Sequence, residues 1–179
     1  AVELALKFVI DRLVEARIVL QAHPKTHDIK SHWDMIDRAP LGDVALRQLT
    51  GGLKIFVDSL HSIDEDGQQL RYAETQDGQK SLRDIAICNL ELIQGSLGDL
   101  QKLLTELRYR AIEVVDERRA GAFTAELSRR DLFALTDMLP PHEAWDSEDF
   151  NAAKAAARAR FKLSNNQFSK ALNVIQAHR

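Results

Sequence analysis

Apolar residues recur every three or four positions along most of the chain, and the four prolines fall between these periodic segments. No stretch alternates β-branched or aromatic residues with polar ones, which is the pattern typical of strands. The sequence therefore predicts an all-α protein: an up-and-down helical bundle with one very long helix, followed by a small C-terminal helical subdomain. Helices are predicted over residues 2–22, 27–36 and 43–62, and the third is expected to be interrupted at Gly51 and Gly52.

Capping signals predict the helices of the C-terminal part. Ser128 and Asp131 have the spacing of a capping box, in which each residue bonds the backbone N–H of the other, and they predict a helix up to residue 138. Ser164 and Gln167 repeat that spacing and predict the last helix. Between them, the acidic residues of segment 146–149 suit the start of a helix that reaches residue 161. The predicted domains are residues 1–118, a helical bundle, and residues 122–179, a basic helical subdomain.

The longest predicted helix covers residues 81–117. Ser81 and Asp84 resemble a capping box, and apolar residues then follow the alternating spacing of a heptad repeat. At 1.5 Å per residue this helix is about 55 Å long, which exceeds the diameter of a small bundle. Its apolar stripe predicts either an antiparallel partner helix in the same chain or a homodimer seam. The seam residues are Ile93, Leu97, Leu100, Leu104 and Leu107.

The composition excludes several classes of protein. The single cysteine, Cys88, excludes an internal disulfide and a cysteine-rich zinc site, and it favours a reducing, cytoplasmic location. No apolar run reaches the roughly 18 residues that a membrane span needs, so no membrane partner is expected. The motifs that bind nucleotide phosphates or present a serine nucleophile are also missing from the sequence. We therefore predict no cofactor, no metal and no complete catalytic motif.

Charge is distributed unevenly along the chain. Residues 150–179 contain six Lys/Arg and no Asp or Glu, whereas residues 1–149 contain the other 18 Lys/Arg and all 27 Asp/Glu. The net charge of −3 therefore combines an acidic body with a basic tail. Within that tail, residues 160–172 have the pattern of two helices joined by a tight turn. A basic helix-turn-helix predicts contact with nucleic acid.

Polar residues of the tail are the candidates for that contact. The apolar stripes of the two helices are expected to pack together, which leaves Asn, Ser and Lys side chains on the outer face of the last helix. Such side chains bond base edges or phosphates, and the cations before them can contact the nucleic-acid backbone. The alternative is a helical hairpin with a solvated basic face, and Lys162 occupies a turn position that favours Gly. The candidates are Lys154, Arg158, Arg160, Lys162, Asn166, Ser169, Lys170 and Asn173.

Three histidines, His23, His27 and His32, lie close together in the sequence. Neutral imidazoles bind metals, but His27 and His32 are five positions apart. At about 100° per residue, this spacing places them far apart around a helix. A metal site is therefore not predicted. Instead, Thr26 or Asp28 is expected to cap the second helix by accepting backbone N–H bonds.

The segment 24–29, Pro-Lys-Thr-His-Asp-Ile, follows an apolar N-terminal helix and resembles the start of the second helix in HEPN-type domains. Residues 66–72, Asp-Gly-Gln-Gln-Leu-Arg-Tyr, are similar to a segment that some members carry between their middle helices. The resemblance covers roughly residues 2–107 and does not include the tail. It implies a bundle of four or five helices, often dimeric, and a role in toxin–antitoxin, phage-defence or RNA-processing systems.

Active members of that family resemble metal-independent ribonucleases with an Arg-x(4–6)-His motif in a late helix. In this sequence the matching region has Arg83 followed by Cys88 where histidine is needed, so the resemblance implies a copy without nuclease activity. Arg17 and His23 have the right spacing but lie at the end of the first helix. Together with His27 they are the weak catalytic candidates.

The leading hypothesis is a non-enzymatic binding or regulatory protein that acts on nucleic acid, such as a defence or toxin–antitoxin component. Two alternatives remain. One is an active ribonuclease of the HEPN type, and the other is a helical protein–protein interaction module in a larger assembly.

Overall fold

The computed structural model describes residues 1–65, 72–74, 78–82 and 89–178. Over those residues the chain forms seven α-helices and a 3₁₀ turn at His142–Ala144, and its β structure is limited to an isolated bridge between Glu74 and Lys80. The prediction of an all-α helical bundle with one long helix is therefore confirmed. The helices are α1 (Val2–Glu15), α2 (Ile29–Asp37), α3 (Val44–Ile63), α4 (Leu90–Ala120), α5 (Arg129–Thr136), α6 (Glu148–Phe161) and α7 (Asn165–Ala177).

The chain divides into two compact units. Unit 1 consists of residues 1–39 and 46–112, and unit 2 consists of residues 40–45 and 113–179. Both α3 and α4 therefore contribute residues to each unit. The predicted domain limits, residues 1–118 and 122–179, stay a prediction.

Unit 1 is held together by contacts between its four helices. Helix α1 packs against α2, and the Trp33 indole of α2 donates a hydrogen bond of 2.9 Å to the Thr50 carbonyl oxygen of α3. On α4, the Arg108 guanidinium lies 5.0 Å from the centre of the Phe8 ring of α1. A buried indole keeps its N–H bonded, so Trp33 is a packing anchor with a satisfied donor. Fully buried residues of this unit include Leu6, Ile10, Leu13, Ile36, Leu53 and Leu107.

Helix α1 is shorter than predicted, and helix α3 is more regular. Instead of continuing to residue 22, α1 ends at Glu15, because Arg17 adopts a left-handed conformation with φ of 55°. The N–H groups of Ile18 and Val19 then bond back to the Leu13 carbonyl, at 2.9 and 3.2 Å. The predicted interruption of α3 is also wrong, since the helix runs through residues 51 and 52.

The long helix begins later than predicted. Ser81 and Leu82 form a turn, and α4 starts at Leu90 with the Asn89 side chain accepting the Leu92 N–H at 3.1 Å. The predicted capping residue Asp84 lies outside the described residues. Helix α4 ends at residue 120 and has 31 residues. Its length is therefore roughly 46 Å.

The predicted seam residues of α4 divide into two groups. Leu100, Leu104 and Leu107 are buried within the chain, as the same-chain alternative requires, whereas Ile93 and Leu97 are 43% and 54% exposed. Residues 90–99 of α4 are exposed on all sides. Three of the five residues proposed for a homodimer seam are therefore at most 7% exposed and have little apolar surface left for a second chain.

Unit 2 is built around one apolar core. The tail, residues 150–179, contributes five of the eight buried residues that form this core. Helices α5, α6 and α7 all contribute, and Val44 from the front of the chain packs against the same core. The tail is therefore not a separable two-helix module, because its removal would uncover the apolar side chains of α5. The core consists of Leu127, Leu132, Leu135, Ala157, Phe161, Leu163, Phe168 and Ala171.

Residues 40–45 are an integral part of unit 2. Gly42 has φ of 59°, and a Cβ at this position would lie 2.6 Å from the Ala125 carbonyl oxygen, so only glycine fits. The Val44 N–H donates a hydrogen bond of 3.0 Å to the Asp131 carboxylate, which also belongs to the capping box of α5. Burial raises the pKa of Asp131, as does the nearby carboxylate of Asp43, while hydrogen bonds from Val44 and Ser128 oppose that rise. One buried carboxylate thus orders the start of two helices.

None of the helices within the described ranges is long and apolar enough to cross a membrane.

Candidate nucleic-acid interface

The turn between α6 and α7 has the left-handed residue that its length requires. Lys162 occupies this position, with φ of 55° and ψ of 45°, although the left-handed conformation favours glycine. The N–H groups of Lys162 and Leu163 both bond the Arg158 carbonyl oxygen. Leu163 is buried in the core of unit 2. Two helices therefore meet through a three-residue turn whose middle side chain fixes the corner.

The start of α7 is fixed by the predicted capping box. The Ser164 hydroxyl accepts the Gln167 N–H at 3.3 Å, and the Gln167 side-chain oxygen accepts the Ser164 N–H at 2.8 Å. The Gln167 amide nitrogen also donates a bond of 3.0 Å to the Glu126 carboxylate. No local pattern in the sequence indicates Glu126, because its contact with Gln167 joins residues 41 positions apart. Capping and this contact together hold the first turn of α7 in place.

Helix α7 has a buried face and an exposed face. Phe168 and Ala171 are buried in the core, and the four polar residues predicted for the outer face are all exposed. A face of amide, hydroxyl and ammonium groups can donate and accept hydrogen bonds, which is what contact with base edges and phosphates requires. The exposed residues are Asn166, Ser169, Lys170 and Asn173.

The cations of α6 contact apolar or backbone groups of their own unit. The Lys154 ammonium lies 5.9 Å from the centre of the Phe168 ring, and Arg158 Nε donates a bond of 3.2 Å to the Leu163 carbonyl oxygen. Arg160 places one guanidinium nitrogen 3.6 Å from the Met138 sulfur. These contacts orient the three cations without neutralising them.

None of the five predicted cations of the tail forms an ion pair with a described residue. Lys154 and Arg158 are half-buried, while Arg160, Lys162 and Lys170 are exposed. At the other end of α6, Glu148 and Asp149 occupy the first turn, where they suit the positive end of the helix dipole. Positive charge is therefore concentrated in the second half of α6 and in the turn, with Lys170 in the middle of α7.

An aromatic cluster packs beside the acidic first turn of α6 and reaches α7. The Trp145 ring stacks on Phe150 with centroids 5.3 Å apart, and Phe150 lies 6.5 Å from Phe168. The Trp145 indole donates to the Pro140 carbonyl oxygen at 3.1 Å. Trp145 is therefore a packing anchor whose indole donor is satisfied.

In unit 1, His27 is oriented by a carboxylate. Its Nδ1 lies 3.0 and 3.2 Å from the two oxygens of Glu3, and the Lys7 ammonium lies 2.6 Å from one of them. Burial tends to raise the pKa of Glu3, but hydrogen bonds from Lys7 and His27 outweigh it and hold that pKa below its usual value. The imidazole is 49% exposed. This arrangement presents a histidine edge to solvent beside a cation.

The other weak catalytic candidates do not join this group. His23 Nδ1 donates to the Pro24 carbonyl oxygen at 3.1 Å, and its ring lies edge-on to His32 at 5.8 Å. Burial lowers the pKa of His32, although a bond to the Thr26 carbonyl opposes this. Arg17 is exposed; its backbone N–H bonds the Val14 carbonyl oxygen at 2.9 Å, and its guanidinium forms no hydrogen bond or ion pair with a described residue.

Several predictions concern residues near the start of α2 or outside the described ranges. Asp28 caps α2, accepting the N–H groups of Lys30 and Ser31 at 2.9 and 3.2 Å, so the predicted cap is confirmed. Arg83 and Cys88 lie outside the described residues. Within the described ranges, no group of three or more His, Cys, Asp and Glu side chains is arranged to hold a metal ion.

No family model, curated protein or solved structure matches this chain.

Proposed function

We propose that unit 2 binds nucleic acid through the end of α6, the turn and the outer face of α7. The observation that carries the proposal is the set of five cations without ion-paired carboxylates among the described residues, on a segment that contains no Asp or Glu. A polyanion displaces counterions from such a surface and gains affinity by doing so. The protein would act as a binding or regulatory module without catalytic chemistry of its own.

The shape of the surface supports the same proposal. A three-residue turn holds α7 at a fixed angle to α6, and the exposed face of α7 carries side chains that can bond bases. Lys162 and Lys170 would contact phosphates, while Asn166 and Asn173 would contact base edges. The two lysines would therefore set the affinity, and the two asparagines would set the sequence preference.

Charge-neutral variants test the proposal without disturbing the core. Fluorescence anisotropy with a labelled duplex DNA, the matching duplex RNA and each single strand would be measured at about 50 mM salt. The double variant Lys162→Gln, Lys170→Gln should bind at least about fivefold more weakly to the preferred nucleic acid. The matched control is Lys25→Gln, Lys102→Gln, which removes the same charge from exposed positions of unit 1 and should change affinity by less than about twofold. Equal losses in both double variants would contradict the proposal.

The HEPN-like identity of the N-terminal part and a homodimer through α4 also belong to the proposal. The order of two short helices, a third helix and a long fourth helix supports the first. For the homodimer, only the exposed Ile93 and Leu97 support contact, so we restrict the proposed seam to the first turns of α4. Light scattering should then give a dimer mass that Leu97→Asp reduces to the monomer mass. The control Leu92→Asp changes a residue that is 68% exposed, against 54% for Leu97, and that is not one of the seam residues, so it should leave the mass unchanged.

The contacts of His27 favour one second candidate, a metal-independent ribonuclease. A carboxylate that bonds Nδ1 leaves Nε2 free to transfer protons, and general acid–base groups of this kind contribute about 10²–10⁴-fold to a rate. Lys7 lies beside the same carboxylate and could stabilise developing negative charge.

An RNA cleavage assay in chelator separates this candidate from the leading proposal. If the candidate holds, His27→Gln abolishes cleavage, Glu3→Gln reduces it, and the control His142→Gln leaves it unchanged. Nucleic-acid binding without cleavage would reject the ribonuclease and leave the binding proposal intact.

A further inference from the structure

Unit 2 contains a pocket of about 180 Å³ between α5 and the end of α7, on a different face of α7 from the proposed nucleic-acid surface. Its walls are mainly apolar and its polar groups are few. An engineered apolar cavity of about 150 Å³ is large enough to bind benzene, so this pocket has room for a ring or a short branched chain. The lining includes Arg129, Leu132, Phe133, Val174, Ile175 and His178.

The apolar wall of the pocket contains an aromatic ring that is exposed to water. Phe133 is 60% exposed and lines the pocket beside Leu132, which is buried. Opposite them are Val174 and Ile175, which are half-buried. A ligand that covers the ring would remove apolar surface from water at both walls.

The two basic side chains lie at the same end of the pocket. Arg129 Nη1 lies 3.4 Å from the Gly121 carbonyl oxygen, and the His178 ring lies 3.9 Å from the position that a Cβ on Gly121 would occupy. Arg129 also lies over Phe133, with its guanidinium 5.3 Å from the ring centre. No described carboxylate forms an ion pair with Arg129. Arg129 Nη1 donates that one hydrogen bond to Gly121, and the remaining guanidinium N–H groups, which have no acceptor among the described residues, can donate to a ligand at this end of the pocket.

We infer that this pocket binds a small organic acid, with an apolar ring or branched chain between Phe133 and Val174 and a carboxylate bonded to Arg129. A guanidinium bonds a carboxylate with two parallel hydrogen bonds, so the charge selects an acid over its amide. An apolar body of about six carbon atoms fits this volume. This inference does not rest on nucleic-acid binding.

The test uses benzoate as the probe and the methyl groups of Val174 and Ile175 as reporters. Methyl NMR spectra of the full chain would be recorded during titrations with benzoate, benzamide and acetate up to about 20 mM. Benzoate should shift both residues in a saturable manner with a dissociation constant of about 1 mM. Benzamide should bind about tenfold more weakly, because it lacks the charge, and acetate should cause no saturable shift, because it lacks the apolar body.

Two neighbouring arginines provide the matched variants. Arg129→Gln should raise the dissociation constant of benzoate about tenfold, to the value for benzamide, whereas Arg130→Gln should change it by less than about twofold. Arg130 does not line the pocket, and its guanidinium faces Glu113 at 3.8 Å. Thermal unfolding of both variants checks that unit 2 is intact. If Arg129→Gln does not fold, the preference of the unmodified chain for benzoate over benzamide decides the question.

Three results would overturn the inference. These are no saturable shift of Val174 and Ile175 with benzoate, equal binding of benzoate and benzamide, and equal effects of Arg129→Gln and Arg130→Gln.

Discussion

The two units of this protein treat their charges differently. In unit 1 many cations face a carboxylate: Lys7 lies 2.6 Å from Glu3, and Lys30 lies 3.1 Å from Asp58. In the tail of unit 2 the cations instead contact rings and carbonyl groups, as Lys154 does with the Phe168 ring. Many cations of unit 1 are thus paired within the unit, whereas the five tail cations form no ion pair with a described residue and leave their positive charge available to an external anion.

This difference explains why the net charge says little about function. A value of −3 would suggest weak repulsion of nucleic acid, but it is a sum over the whole chain. In 0.1 M salt a charge is screened beyond about 10 Å, so the charge near the binding surface, and not that of the whole chain, decides binding. A basic surface on one unit can therefore bind a polyanion although the protein as a whole is acidic.

The first test of this difference between the units removes part of the core that positions the tail cations. Phe168→Ala should destabilise unit 2 by about 3–5 kcal/mol, because it deletes a fully buried ring. The exposed Phe133 provides the control, and Phe133→Ala should cost less than about 1 kcal/mol. Urea unfolding would be followed by Trp145 fluorescence in a Trp33→Phe background, which leaves one tryptophan in unit 2. A small effect of Phe168→Ala would mean that the tail does not share the core of α5.

A second test concerns Asp131, the buried carboxylate of unit 2. Asp131→Ala should cost about 2–3 kcal/mol, because it leaves the buried N–H group of Ser128 and the partly buried N–H group of Val44 without an acceptor. Asp131→Asn keeps an acceptor oxygen and should cost less than about 1 kcal/mol. The same fluorescence measurement distinguishes them. Equal losses would show that the charge of Asp131, and not its hydrogen bonding, stabilises unit 2.

A third test separates stability from binding at one residue. Lys162→Gly should stabilise unit 2 by about 1 kcal/mol, because glycine adopts the left-handed conformation without strain. The same change removes a cation from the proposed surface and should weaken nucleic-acid binding. Thermal unfolding and anisotropy would be measured on the same sample. If stability and affinity rose together, Lys162 would not be a phosphate contact.

The smallest expected effect is an opposite response of the two units to pH. His32 has a lowered pKa in the folded protein, so unit 1 loses stability as pH falls below about 6.5, where the unfolded histidine takes up a proton. Asp131 has a raised pKa, so it destabilises unit 2 at neutral pH and that cost is relieved as pH falls toward about 3.8. Unfolding followed by Trp33 alone and by Trp145 alone would reveal these trends. Parallel pH profiles that His32→Gln and Asp131→Asn leave unchanged would contradict the assignment.

Local signals in the sequence predicted much of this fold, and contacts over long distances in the chain explain most errors. The Ser164–Gln167 box and the Asp28 cap lie where they were predicted, because capping depends on residues two or three positions apart. The predicted end of α1 was wrong because the chain reverses at Arg17. Arginine has no preference for the left-handed conformation that this residue adopts, so the sequence does not indicate the reversal. The sharing of a core between Val44 and the tail has no local signal at all.

The candidate site was only partly predictable for the same reason. Helical periodicity placed Asn166, Ser169, Lys170 and Asn173 on one face, and all four are exposed. It did not indicate that Arg158 would bond the turn or that Glu126 would hold Gln167. Periodicity identifies a face, whereas the partners across it depend on the tertiary structure.

The central claim is that the five tail cations, which form no ion pair within the described part of the chain, provide a surface for nucleic acid, and the salt dependence of binding tests it most directly. The affinity of the full chain for its preferred nucleic acid would be measured between about 50 and 200 mM salt. We predict a slope of log affinity against log salt of about −2 to −4, which Lys162→Gln, Lys170→Gln makes shallower by about 1.5–2. An absence of binding at low salt, or a slope that this double variant leaves unchanged, would contradict the account.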